Sequence, residues 1–219
     1  MKIKMKERTA AIILMAGKGE RFGSTLPKQL HELCGKKIYK YTLERFQESR
    51  LFEEIILVCH PDWMVQEEGV KVVAGGATRQ ESSYRGLLAC APDTQYVVIH
   101  DGVRPFVSLE ILQENVRAVK QFDAVDTCIP STDTIVHSVD GKRIDEIPLR
   151  SEYWRGQTPQ SFAYDLILEA HQRTKRKNAT DDCSLVLEMG YDVHIVIGSE
   201  ENIKITTEKD ILLAEQFST

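Results

Sequence analysis

The sequence predicts an α/β fold: a doubly wound, mainly parallel sheet from which a β-hairpin arm projects. Three observations predict it. Short apolar runs rich in Ile and Val alternate with helical patterns along most of the chain. Those runs are apolar throughout, as expected for strands covered on both faces. One segment, about residues 134–150, breaks the rhythm with strand-like stretches on either side of Asp140-Gly141, the usual composition of a tight hairpin turn.

The elements follow in order. Ala10 to Leu14 reads as the first buried strand, and a polar, glycine-containing loop runs from Gly17 to Gln29. A helical pattern from Lys37 to Gln47 leads to a second strand, Glu54–Cys59, and a short third at Lys71–Val73. A helix over Thr78–Leu88, a strand at Tyr96–Ile99, a helix over Leu109–Val119 and a strand at Ala124–Ile129 continue the alternation. After the arm come helices near Ala163–Arg173 and Thr180–Met189, a strand at Val193–Ile197 and a last helix from Glu208. Strand–helix alternation implies parallel strands joined by crossovers that cover both faces of the sheet.

With 219 residues the chain has material for one substantial core, so a single domain over residues 1–219 with its arm is expected. A net charge of −5 offers no basic face to a phosphate backbone, which excludes a general nucleic-acid binder. The five cysteines are odd in number and contain no CxxC pair, so they read as reduced thiols rather than a disulfide framework or zinc site. The N-terminal apolar run is short and enters a Gly/charge-rich loop, which reads as a first strand rather than a signal peptide. No apolar run reaches membrane-spanning length. A cytoplasmic protein is expected.

The chemistry concentrates after the first strand, in Met15-Ala16-Gly17-Lys18-Gly19-Glu20-Arg21-Phe22-Gly23. Ligands of doubly wound sheets bind beyond the carboxyl ends of the strands, and glycines let backbone N–H groups approach phosphates. The loop lacks the GxxxxGK[ST] spacing of a P-loop, and Phe22 stands where a dinucleotide fingerprint needs its third glycine. A hydride-transfer enzyme is therefore disfavoured. Arg21 and Lys28 put cations on this loop, which suits a polyphosphate whose charge would otherwise repel an incoming anion. Asp101 follows the strand YVVIH, at the sheet's C-terminal edge, where a hard carboxylate suits Mg²⁺ bridging triphosphate oxygens. Arg104 either holds Asp101 or contacts substrate, while His100 reads as structural. No nucleophile–histidine pair is visible.

The run AGKGERFG…PKQ resembles the signature loop of the 2-C-methyl-D-erythritol 4-phosphate cytidylyltransferases and their ribitol 5-phosphate relatives. Further blocks match in order: Gly75-Gly76…Arg79…Ser82, HDGVRP at 100–105, Thr132-Asp133-Thr134, Gln157-Thr158-Pro159-Gln160, Thr180-Asp181-Asp182 and Asn202-Ile203-Lys204-Ile205-Thr206. The resemblance implies a Rossmann-like nucleotidyltransferase that uses CTP and a divalent cation, Mg²⁺. It places Ala16, Gly17, Arg21 and Lys28 on the triphosphate, and Gly75, Gly76 and Ser82 on cytosine and ribose. Ala77 departs from the family, which often has an acid there. Lys204 is expected to neutralise the α-phosphate. Asp101, Arg104, Thr134, Thr180 and Arg150 are expected around the acceptor, a polyol phosphate, with Arg150 reaching across a homodimer from the base of the arm. Thr180-Asp181-Asp182 also reads as a helix N-cap.

The implied reaction transfers a cytidylyl group from CTP to methylerythritol phosphate in isoprenoid precursor synthesis. Ribitol 5-phosphate is the alternative acceptor, and a nucleotide-binding module without catalysis is the non-enzymatic alternative. The apparent lack of a base fits the chemistry. A phosphomonoester, with a second pKa of about 6, is already largely dianionic at neutral pH and needs cations and alignment instead.

Overall fold

The computed structural model describes residues 7–17, 19, 22 and 26–217. Its strands are β1 (Thr9–Met15), β2 (Glu32–Leu33), β3 (Lys36–Lys37), β4 (Glu54–Cys59), β5 (Lys71–Ala74), β6 (Tyr96–Asp101), β7 (Ala124–Pro130), β8 (Trp154–Ala163) and β9 (His194–Ile197). Its α-helices are α1 (Ile38–Ser49), α2 (Arg79–Leu88), α3 (Leu109–Phe122), α4 (Tyr164–Arg173), α5 (Cys183–Glu188) and α6 (Glu208–Phe217).

Seven strands form one sheet in the order β5-β4-β1-β6-β8-β7-β9, and β2 and β3 pair separately. All neighbours in the large sheet are parallel except at β8, which runs antiparallel to both β6 and β7. Alternation along the strands feeds two cores. Ile12, Leu14, Val58 and Ile99 pack with Leu87 of α2, Ile167 of α4 and Val186 of α5. Ala11, Ile13, Leu57 and Val98 pack on the other face with Leu43 and Phe46 of α1 and Leu112 of α3. The mainly parallel, doubly covered sheet matches the expectation from sequence.

Three details differ from that expectation. β8 was not foreseen, because Pro159 in its middle removes a ladder donor and argues against a strand. The helix expected from Thr180 begins at Cys183, and its cap is Asp181, whose Oδ1 accepts from Ser184 N–H (2.8 Å). The arm does reverse at Asp140-Gly141, where Gly141 takes φ +67° and Asp140 Oδ1 accepts from the N–H groups of Lys142 (2.8 Å) and Arg143 (3.0 Å). Its pairing, however, is one antiparallel bridge between His137 and Glu146 rather than a full ladder.

The chain enters β1, lays β4 and β5 to one side, then crosses to place β6 on the other. The carboxyl ends of β1 and β6 therefore sit side by side at a switch point, with Leu14 in register with Asp101. A crevice opens at such a point because the loops leave in opposite directions.

Candidate active site

A cleft of about 490 Å³ lies over this switch point, lined by Ala16, Gly17, Lys28, Gly75, Gly76 and Lys204 among others. Segments distant in sequence build it. Gln29 is buried, and its Nε2 donates to Met15 O (2.6 Å) and Gly17 O (3.0 Å). This clamp folds the first loop back on the end of β1 and brings neighbouring Lys28 to the cleft. Arg21 lies outside the described residues.

The opposite wall is the turn from β5 into α2. Thr78 caps α2, its side chain accepting from Glu81 N–H, and the Glu81 carboxylate accepts from Ala77 N–H (2.8 Å). Gly76 N–H donates to Ser82 Oγ (3.1 Å), and Ser82 Oγ–H donates to Thr78 O (2.8 Å), so the Ser82 hydroxyl shapes this turn from within. Gly75 is required by close approach: a Cβ there would come within 2.4 Å of Ala16 Cβ. The two glycine-bearing loops touch at that contact.

Asp101 is the centre of charge. Its Oδ2 is 2.8 Å from Lys204 Nζ and 3.8 Å from Arg104 Nε, and its Oδ1 is 3.7 Å from Arg79 Nε. Burial pushes its carboxyl up, but Lys204, Arg79 and Arg104 outweigh burial and hold it well below the usual carboxylate range. Lys204 arrives by alternation: Ile205 is buried and donates its N–H to Val103 O (2.9 Å), which turns the preceding side chain to the cleft.

The backbone of Asp101 is held as firmly. Its N–H donates to Thr158 Oγ1 (3.1 Å), which also meets His100 Nδ1 (3.0 Å). Burial lowers His100 to about 4, so the ring is neutral at neutral pH. Its Nε2 faces Arg104 O (3.2 Å), which can only accept, so Nε2 carries the proton and Nδ1 accepts from Thr158. His100 is thus structural, as the sequence suggested. Arg104 is buried and donates from Nη1 to Asn202 O (2.7 Å), tying the β6 loop to the segment that carries Lys204.

A second cavity of about 480 Å³ adjoins the first and shares Arg79, Asp101 and Lys204 with it. It continues past Arg104, Thr158 and Gln160 to Asp126, Thr180 and Asp181. Thr180 is exposed here, free of the capping role that Asp181 fills. Behind the wall, buried Asp182 receives Arg79 Nη1 (2.7 Å) and faces His171 Nε2 (2.9 Å). Burial raises the Asp182 carboxyl, yet Arg79 and His171 together hold it at about 2.

Of the residues predicted from sequence, Ala16, Gly17, Lys28, Gly75, Gly76, Ser82, Asp101 and Lys204 meet at the first cleft, and Arg104 and Thr180 at the second. Thr134 and Arg150 lie on the exposed arm outside both cavities, and Arg150 Nη1 donates to Thr132 O (2.9 Å). Sequence reasoning missed Arg79, Gln29, Thr158, Gln160, Asp126 and Asp182 as site residues. Five of the six stand inside blocks already singled out, while Asp126 carried no signal. As to metal, no group of three or more His, Cys, Asp or Glu side chains among the described residues could hold an ion. Asp101 is a carboxylate that lines both cavities, and its oxygens face Lys204, Arg104 and Arg79.

The model of the 2-C-methyl-D-erythritol 4-phosphate cytidylyltransferase family matches residues 9–219. The enzyme of that name from Alkaliphilus oremlandii is 38% identical, with 96% of this chain and 94% of the relative covered. The 4-diphosphocytidyl-2C-methyl-D-erythritol synthase of Anaerococcus prevotii superimposes with a TM-score of 0.85 at 31% identity, covering 97% of this chain and 96% of that one. The 2-C-methyl-D-erythritol 4-phosphate cytidylyltransferase of Thermus thermophilus superimposes at 0.83 with 30% identity, covering 96% and 98%. Matched by the family model over residues 9–219 and 38% identical to a relative over nearly the full length of both chains, the chain belongs to the 2-C-methyl-D-erythritol 4-phosphate cytidylyltransferase family.

Proposed function

We propose that the protein transfers the cytidylyl group of CTP to 2-C-methyl-D-erythritol 4-phosphate and releases pyrophosphate, a step of isoprenoid precursor synthesis. The observation that carries this reading is the junction of two cavities at Asp101, Lys204 and Arg79. One cavity offers glycine-bearing loops and Lys28 to a nucleoside triphosphate, and the other has room for a small polar acceptor. The relatives named for this reaction favour methylerythritol phosphate over ribitol phosphate, and the retained cations and Asp101 disfavour a module without catalysis.

At the junction, a phosphate oxygen of the acceptor attacks the α-phosphorus of CTP. A new P–O bond forms as the bond from the α-phosphorus to the bridging oxygen breaks, and that electron pair leaves on pyrophosphate. The attacking dianion needs no proton removed, which fits a site where buried His100, beside Asp101, is neutral and committed to backbone and Thr158. Lys28 and Lys204 stabilise the charge that develops on the phosphates. Asp101 would hold Mg²⁺ carried in on the triphosphate, and that ion would supply further positive charge between the phosphate oxygens.

Arg150 and Thr134 join the site through a second copy in this reading. The arm exposes Val136, Val139, Ile144, Ile147 and Leu149, with Val139 at 82% exposure, and such a row leaves water only against another surface. The five free cysteines fit a reducing cytoplasm. The test is pyrophosphate release by purified protein given CTP, Mg²⁺ and one acceptor at a time. Release with methylerythritol phosphate alone supports the reading; release with ribitol 5-phosphate alone, or with neither, replaces it by the alternative enzyme or by a non-catalytic module.

A further inference from the structure

We propose that Asp126 reads the hydroxyl groups of the acceptor in the second cavity and so sets acceptor selectivity. This rests on the proposed transfer to a polyol phosphate and extends it to the part of the acceptor that does not react.

The second cavity is lined by charges of both signs, Arg79, Arg104 and Lys204 on one hand and Asp126 and Asp181 on the other. A ligand with a dianionic phosphate and hydroxyl donors complements that lining, because a carboxylate can only accept hydrogen bonds. Asp181 is occupied as the cap of α5 through Ser184 N–H (2.8 Å). Asp126 has no such duty to backbone structure outside its own strand, and no Lys or Arg among the described residues forms an ion pair with it.

Asp126 is nevertheless held in place. Asp182 N–H, an obligatory donor, bonds Gln160 Oε1 (3.0 Å). That fixes the Gln160 amide, so its Nε2 must face away, and it donates to Asp126 Oδ1 (3.1 Å). The other oxygen, Oδ2, accepts from the weak Cys128 thiol donor (3.4 Å), and a Thr127 backbone hydrogen bond also serves the carboxylate, which keeps acceptor capacity for a ligand. The ladder between β7 and β8 shifts register between Asp126 and Cys128, which sets this stretch off from regular pairing. Burial also raises the Asp126 carboxyl to about 6, so the fold keeps a desolvated acid where an amide would be more comfortable. A group retained at a cost to stability, aimed into a substrate cavity and oriented by a buried amide, is a recognition element.

The test uses the full chain with CTP, Mg²⁺ and two acceptors, methylerythritol phosphate and glycerol 3-phosphate, which lacks one hydroxyl-bearing carbon and the methyl branch. For Asp126→Asn we expect the KM of methylerythritol phosphate to rise about tenfold, equivalent to about 1.4 kcal/mol, with kcat and the KM of CTP within about threefold of wild type. The preference of wild type for methylerythritol phosphate over glycerol 3-phosphate should shrink by the same factor. Asp126→Val should lose at least as much. Thermal unfolding of both variants checks that the fold is kept. An active wild type whose variants keep its acceptor preference, or lose kcat equally on both acceptors, overturns the role of Asp126 and leaves the reaction standing. A wild type that releases no pyrophosphate with any polyol phosphate overturns the reaction, and this role with it.

Discussion

Lys204 Nζ sits 2.8 Å from Asp101 Oδ2, although the two residues are 103 positions apart in the chain. Neither charge is left bare before substrate arrives, and both stand where the two cavities meet. The pair stores the site's main positive group in a defined position, so less reorganisation is needed when a triphosphate binds.

Arg79 bridges this pair to the buried Asp182, at 3.7 Å from Asp101 and 2.7 Å from Asp182. Removing it leaves a buried carboxylate without its main cation. Arg79→Met is expected to lose about 3–5 kcal/mol of stability in urea denaturation, and Asp182→Asn in the same chain should restore part of it. A loss under about 1 kcal/mol would mean that Arg79 serves substrate only.

The pH dependence of stability separates two acids. Asp182 is held at about 2 against an ordinary 3.8, so its ionised form favours the folded state. That contribution, about 2 kcal/mol, is complete above pH 4 and is lost as pH falls through 2. Asp126 is raised to about 6, so between pH 4 and 6 the folded state holds the proton more tightly than the unfolded chain. Stability therefore falls by about 3 kcal/mol as pH rises through that window. Asp126→Asn should match wild type near pH 4 and exceed it near pH 7, measured by denaturant unfolding at each pH. Equal stabilities at both values would contradict a desolvated carboxyl without an ion-pair partner at this position.

Gln29 clamps the first loop through Met15 O (2.6 Å) and Gly17 O (3.0 Å). Gln29→Ala frees the loop that carries Lys28 without touching the second cavity. Its KM for CTP should rise about tenfold, since two buried hydrogen bonds are lost, while the KM of the acceptor stays near wild type. A rise in both would show that the loop serves the acceptor as well.

Val139 and Ile144 on the arm are exposed, at 82% and 60%. If a second copy covers them, Val139→Asp with Ile144→Asp should give a monomer by analytical ultracentrifugation and at least tenfold lower activity, because Arg150 is then withdrawn from the site. An unchanged sedimentation coefficient would place the dimer contact elsewhere or remove it.

Much of this molecule was legible in its sequence. β1, β4 and β6 are unbroken apolar runs, and their ends fixed the place of the first loop and Asp101. Lys28 and Lys204 were legible because motif and alternation both point them at the same cleft. β8 was not, since Gly156 and Pro159 interrupt any strand pattern and its antiparallel course has no signature of its own. The Arg79–Asp182 and Gln160–Asp126 pairs join residues 103 and 34 apart, and nothing local in the sequence announces such partners. The arm shows the opposite limit: its turn is written in Asp140-Gly141, but nothing in the sequence says what its exposed apolar residues meet.

The central claim is that converging cations drive cytidylyl transfer from CTP to an acceptor phosphate that is already a dianion. Turnover of Lys204→Met at saturating CTP and acceptor tests it most directly. The account predicts a fall in kcat of about a hundredfold or more, the scale of removing one preorganised group from a developing charge. Near-normal kcat at saturation would contradict it.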